Sequence, residues 1–175
     1  MHEALALTGN RAADYVLLLK QAESLWDSSL PLFSNLANIS ALLKEALDRT
    51  NWAGFYLWDE PAGELVLGPF QGLVACTRIP FGKGVCGTAV REMQTQRVAD
   101  VHQFPGHIAC DGASVSEIVV PLVRAGADEC REEVLGVLDI DSPHKGRFDP
   151  VDQEGLEKVA GLLVRLWPQG SALRG

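Results

Sequence analysis

The side chains able to do covalent chemistry in this sequence are four cysteines, Cys76, Cys86, Cys110 and Cys130. Their separations of 10, 24 and 20 residues contain no Cys-x-x-Cys pair, which excludes a zinc ribbon and a thioredoxin-type motif. Cys110 falls within FPGHIACDGASVSEIVVP, residues 104–121, between a Phe-Pro-Gly loop signal and an apolar run that reads as a buried strand. His107, Asp111, Ser114, Ser116 and Glu117 surround it, a dense polar set for a chain that is 47% hydrophobic. Polarity of that kind on a loop between ordered elements points to binding or catalysis more often than to packing. Cys86 follows the glycine-rich PFGKG of residues 80–84 and enters the first turn of a helix expected over 85–94. There the helix dipole favours a thiolate. The same glycines suggest a phosphate loop, but the G-x-x-x-x-G-K-[ST] pattern is absent. Cys76 lies in the run 73–79, expected as a short strand, and Cys130 lies in a charged turn over 124–133 and carries no signal of its own. For any single cysteine the default is a small buried hydrophobe.

Carboxylates and aromatic rings are patterned to meet these thiols. LDIDSP, residues 138–143, puts Asp139 and Asp141 at i and i+2 near a strand end, so they share a face. Glu117, Val119 and Pro121 share a face of the preceding strand by the same rule. In NWAGFYLW, residues 51–58, Trp52, Gly54 and Tyr56 lie on one face, with Gly54 leaving a gap between two large rings. Paired acids at a strand end are often only solvated, and two strand aromatics are more often core than binding wall. Periodicity nevertheless permits all of them to line one cavity. A metal set of His102, His107 and Cys110 matches no ligand spacing, and His2 and His144 carry no signal.

The elements that must position these groups follow from hydrophobic period and breakers. Apolar residues recur at helical spacing over 11–27 and, after Pro31, over 32–48. These helices cover one face of a sheet or serve a partner chain. Residues 51–58 and 64–67 form a hairpin around the turn 59–63, and 68–72 reads as a loop. Strands are expected over 117–123 and 134–140, a helix over 149–167, and a disordered tail over 169–175. The result is one α+β domain over residues 1–168. With 15 basic and 23 acidic residues the formal charge is -8, and no basic cluster offers a nucleic-acid footprint. No run approaches the roughly 20 apolar residues needed to span a bilayer, and the start lacks a signal-peptide pattern. A cytoplasmic location is expected, with thiols reduced at rest and any disulfide transient.

In order, GPFQG, ACTRIPFGKGVCGTA, FPGHIACDGASVSEIVVP and GVLDIDSP resemble the free methionine-(R)-sulfoxide reductases, a family built on a single GAF domain. The resemblance runs from about residue 51 to the final helix. It implies a GAF-like central antiparallel sheet with helices packed on it, an enclosed small-molecule pocket and a homodimer. It implies Cys110 as nucleophile, Cys76 as resolving thiol and Cys86 as a thiol able to pair or relay. Substrate contacts are implied for Trp52, Tyr56, Glu117, Asp139 and Asp141. Leu73-Val74 departs from the more polar, proline-containing pair expected before the first motif cysteine. The implied reaction is reduction of free L-methionine (R)-sulfoxide. A thiolate attacks sulfur while an acid, Asp141 or Glu117, protonates the oxygen; a sulfenic acid forms and condenses to a disulfide. Thioredoxin or a similar external dithiol reopens it, with no bound cofactor and no metal. The acids supply a counter-charge for the α-ammonium and Trp52 brackets the S-methyl group. The alternative is a non-catalytic GAF module sensing a small metabolite, which would leave three thiols at motif positions without a purpose.

Overall fold

The computed structural model describes residues 6–106, 112–126 and 132–169. Four α-helices are present among them: α1 Arg11–Leu25, α2 Leu32–Ala46, α3 Gly84–Glu92 and α4 Pro150–Leu166. The strands are β1 Trp52–Asp59, β2 Glu64–Gln71, β3 Arg78–Pro80, β4 Gln96–Val98, β5 Ser116–Ala125 and β6 Glu132–Ser142. They form one antiparallel sheet in the order β3-β2-β1-β6-β5-β4. The α+β expectation therefore holds, with a central antiparallel sheet and helices on both faces.

The period of two along the central strands divides the interior into two cores. Ala53, Phe55, Leu57, Ile118, Val120, Leu138 and Ile140 face α1, α2 and α4, where Leu36, Leu43, Leu156 and Leu163 complete the larger core. Trp52, Tyr56, Val119 and Val137 face the other way, toward Val85, Cys86 and Ala89 of α3. Each fully buried Leu, Ile or Phe contributes about 1.5–3 kcal/mol, so the larger core carries most of the stability. The smaller one, under a nine-residue helix, also holds polar groups.

The helix N-termini show how local chemistry fixes these layers. Asn10 caps α1 by accepting from Ala13 N–H, and Asp149 with Asp152 forms a reciprocal capping box on α4, with Pro150 at its first position. Asp152, 1% exposed, also accepts from Tyr15 Oη at 2.9 Å and pairs with Arg147 at 3.0 Å. Tyr15 lies flat on Gly155, where a Cβ would come within 2.2 Å of the ring.

Three expectations need correction. Residues 68–71 belong to β2 rather than to a loop. A register shift between Gly54 and Tyr56 absorbs Gly68 and Pro69, so the missing N–H of Pro69 falls at the irregularity. Residues 73–77 are not strand: only Arg78–Pro80 pairs with β2, and Leu73 and Val74 are 61% and 87% exposed. Apolar residues there resemble a strand but find no face to bury. The short β4 was not anticipated, because three residues are too few for a period. Of the expected tail from residue 169 only Gln169 is described; Cys130 lies outside the described residues, and the ends of its expected turn, residues 124–125 and 132–133, belong to β5 and β6. Among the described residues no helix is long and apolar enough to cross a membrane.

Candidate active site

The sheet register brings the sequence-selected residues of β1, β5 and β6 onto the face under α3. Trp52 pairs with Asp141 and Gly54 with Asp139, while Glu117 pairs with Asp141 and Val119 with Asp139. Side chains directly opposite each other in an antiparallel ladder share a face, so two rings and three carboxylates gather on one surface. Trp52, Tyr56, Glu117 and Asp139 are buried, at 2%, 2%, 7% and 5% exposure, and Asp141 is half-buried. Of the strand-end pair, Asp139 is therefore not merely solvated, and Glu117 on the neighbouring strand is buried as well.

The gap expected over Gly54 is filled. The Trp52 ring folds across it, so that a Cβ on Gly54 would stand 2.8 Å from Trp52 Cη2 and 2.3 Å from Phe70 Cβ. Trp52 stacks between Phe70, with centroids 5.2 Å apart, and Tyr56, 5.8 Å apart. Gly72 packs against the same indole, where a Cβ would lie 2.6 Å from Trp52 Cδ1. Phe70 was given no role by sequence reasoning, although GPFQG marked it. Its signal, an aromatic residue with Gly68 and Gly72 two positions to either side, was hidden because the segment read as a loop. The Tyr56 hydroxyl donates to Cys76 O at 3.1 Å, tying the 72–77 loop to the sheet. Cys76 is half-buried and disulfide-bonded.

Cys86 sits in the first turn of α3, as the glycine-rich run implied, but its environment reverses the thiolate expectation. Its Sγ lies 3.8 Å from Glu117 Oε1, and it is a free thiol, 3% exposed. Burial pushes its pKa well above the ordinary value, and Asp139, Glu117 and Asp141 push it further. The helix dipole, which acts through a fraction of a unit charge, loses to desolvation and three acids. Burial likewise raises Glu117 well above the carboxylate range, with Asp139 and Asp141 adding to it. Asp139 is raised to about 7 by burial, opposed by hydrogen bonding with Cys86 and Glu117. Tyr56 is held neutral by burial and then by Asp139.

Two buried polar atoms on this face have no hydrogen-bond partner: the donor Trp52 Nε1 and the acceptor Asp139 Oδ1. Buried polar groups are nearly always paired, so each such atom asks for an explanation.

His107, Cys110 and Asp111 lie outside the described residues. Both flanks of their segment are fastened. Gly84 N donates to Gly106 O at 3.2 Å, linking one flank to the start of α3. Asn51 Nδ2 donates to Ser114 Oγ at 3.1 Å, and Val115 N to Ser142 O at 2.8 Å, linking the other to β1 and β6. Ser116 is a scaffold residue: its hydroxyl donates to His144 O at 2.6 Å. His102 is exposed, on the 3-10 turn Val101–Gln103. Among the described residues, three metal-capable side chains converge at Cys86, Glu117 and Asp139 rather than at the histidines.

A family model described as "GAF domain" matches residues 36–166. The chain is 49% identical to the free methionine-R-sulfoxide reductase of Escherichia coli, over 90% of each chain. It is 48% identical to that of Saccharomyces cerevisiae, covering 83% of this chain and 81% of the relative. The structure of free methionine-R-sulfoxide reductase from Neisseria meningitidis in complex with its substrate superposes with a TM-score of 0.85 at 45% identity, covering 95% of both chains.

Proposed function

Because the chain belongs to the free methionine-R-sulfoxide reductase family of GAF-domain proteins, we propose that it reduces free L-methionine (R)-sulfoxide to L-methionine. The observation that carries this reading is the pair of orphaned atoms, Trp52 Nε1 and Asp139 Oδ1. A ligand that brings an oxygen for the indole N–H and an ammonium for the carboxylate satisfies both. Free methionine sulfoxide has these groups in one small molecule. A peptide-bound sulfoxide has no α-ammonium, and would leave Asp139 unpaired at a cost of about 1–3 kcal/mol or more for a charged group.

In this reading Glu117, whose pKa is raised well above the carboxylate range by burial and neighbouring acids, holds the proton for the sulfoxide oxygen. Asp139, ionised above about pH 7, holds the ammonium with help from Asp141. Trp52, fixed by its stack with Phe70 and Tyr56, brackets the S-methyl group. Tyr56 serves through its tie to the Cys76 loop as well as through the ring wall.

The thiol chemistry runs in three steps. Cys110 attacks sulfur, oxygen passes to the thiol with cleavage of the substrate S–O bond, and methionine leaves a Cys110 sulfenic acid. The Cys76 thiol condenses with it, releasing water and forming a Cys76–Cys110 disulfide. Thioredoxin or a similar external dithiol reduces that bond by exchange, taking up the oxidising equivalents as its own disulfide, so no bound cofactor is required. The disulfide-bonded state of Cys76 supports its place in the relay. Cys86, buried and protonated, first donates to Glu117 and joins the relay only as a secondary thiol. The exposed Val16 and Leu17 of α1 and Phe33 of α2 support a homodimer contact through the helical layer, and the thiol chemistry supports a cytoplasmic location.

The test is single-turnover methionine release from pre-reduced protein. Cys110→Ser abolishes it, whereas Cys76→Ser releases about one equivalent and stalls, the burst signature of a covalent intermediate. Multiple turnovers by Cys110→Ser would overturn the assignment.

A further inference from the structure

The cluster around Cys86 brings three side chains able to ligate a metal to one point of the pocket wall. Cys86 Sγ and one carboxylate oxygen each of Glu117 and Asp139 lie within 4.8 Å of one another, on side chains 3%, 7% and 5% exposed. The strongest ionisable neighbours of the thiol are acids, with Asp141 as the third. A cluster of acids alone would not make a site. Here a second feature stands beside the cluster: Asp139 Oδ1 is buried with no hydrogen-bond partner, a state that buried polar atoms rarely keep without a ligand.

The substrate ammonium explains that oxygen but leaves the sulfur unused. A cation that takes all three groups must accept thiolate and carboxylate together. Mg²⁺ and Ca²⁺ demand shells of oxygen and reject this set; Zn²⁺ accepts sulfur and oxygen in a tetrahedron. With Zn–S near 2.3 Å and Zn–O near 2.0 Å, tetrahedral ligand atoms stand about 3.5 Å apart. The Sγ to Glu117 Oε1 distance is already 3.8 Å. The three atoms lie within 4.8 Å of one another, so pairwise approaches of at most about 1.3 Å would complete the geometry.

We propose that Cys86, Glu117 and Asp139 bind Zn²⁺ as a three-ligand set with an open fourth position, and that bound zinc excludes the substrate ammonium. Binding is a proton exchange without redox change: Zn²⁺ displaces the proton of the Cys86 thiol, and those of the two carboxyls where present, and forms one Zn–S and two Zn–O bonds. The exclusion rests on the pocket assignment made under Proposed function, because Asp139 is asked to serve both ligands.

The test uses the full-length chain with Cys76→Ser, Cys110→Ser and Cys130→Ser combined, so that Cys86 is the sole thiol. Titration with ZnCl₂ by calorimetry should give one site per chain, insensitive to excess Mg²⁺, and weakened at least tenfold by Cys86→Ser or Asp139→Asn. Co²⁺ in place of Zn²⁺ should give a thiolate charge-transfer band in the parent protein, which reports on the sulfur without any further substitution. Free methionine sulfoxide should raise the apparent Zn²⁺ Kd at least threefold. Absence of a site, or a site with no cobalt–thiolate band that survives Cys86→Ser, overturns the proposal. Zinc bound through Cys86 but indifferent to methionine sulfoxide overturns the exclusion and the ammonium role of Asp139. Loss of the catalytic reading would be seen separately, as failure of the metal-free wild-type protein to release methionine.

Discussion

Under the proposed mechanism, removing one hydroxyl separates the substrate wall from the loop of the resolving thiol. In Tyr56→Phe the ring keeps its place in the stack with Trp52, 5.8 Å between centroids, and loses only the bond to Cys76 O. A neutral hydrogen bond of this kind has a net worth of about 0.5–1.5 kcal/mol. That is the amount by which the 72–77 loop is released, and at an RT of about 0.59 kcal/mol it corresponds to a factor of roughly 2–10 in the population of the docked loop. In the proposed relay the chemical step at sulfur does not use the loop, whereas condensation with Cys76 does. Pre-reduced protein is mixed with substrate and quenched at intervals; methionine is quantified by chromatography and the disulfide by mass after thiol alkylation. The expected result is methionine release at the wild-type rate, with disulfide formation slowed about 2–10-fold and unfolding stability lower by about 1 kcal/mol. Slowed methionine release with normal disulfide formation would refute the reasoning, because it would place the hydroxyl on the substrate.

Other consequences follow from the same face of the sheet. Asp139 has a folded-state pKa of about 7 against an ordinary value of 3.8. A raised acid pKa means the folded state holds the extra proton, so its contribution is fully present below about pH 4 and is lost as pH rises through 7. Asp139→Asn should therefore gain stability relative to wild type on going from pH 4 to pH 8, by an amount on the order of a few kcal/mol, measured by urea unfolding at each pH. The same variant should lose at least tenfold in kcat/KM for the free amino acid, and the rise of wild-type kcat/KM through pH 7 should disappear. Gly54→Ala puts a Cβ 2.3 Å from Phe70 Cβ and 2.8 Å from Trp52 Cη2. Overpacking of this kind costs about 1–3 kcal/mol, and here it displaces the indole, so KM should rise together with the loss of stability seen in thermal unfolding.

Period and breakers made the long elements legible: α1, α2, α4 and the central strands β1, β5 and β6 lie within a few residues of where apolar spacing puts them. The face shared by Trp52, Tyr56, Glu117, Asp139 and Asp141 could be stated strand by strand, because alternation is local. Their convergence could not, since it depends on the order β1-β6-β5 and on the pairing of Asp139 with both Gly54 and Val119. The 72–77 loop misled because Leu73 and Val74 have strand character, whereas the ties that hold this segment, a side-chain bond from Tyr56 twenty residues away and the disulfide of Cys76, leave no mark in local periodicity. Cys86 misled for the opposite reason. Its helix position is a sequence property, but the carboxylates that oppose ionisation arrive from β5 and β6. The network of Arg147, Asp152 and Tyr15 was invisible for the same cause, because Tyr15 reaches the Arg147–Asp152 pair from 137 positions before Asp152.

The most direct test of the central claim is turnover of separated R and S epimers of free methionine sulfoxide by wild-type protein with a thioredoxin recycling system, beside a peptide-bound sulfoxide. The account predicts sustained methionine release from the free R epimer alone. Equal turnover of the peptide-bound sulfoxide, or no turnover of any sulfoxide while another small metabolite shifts the melting temperature, would contradict it.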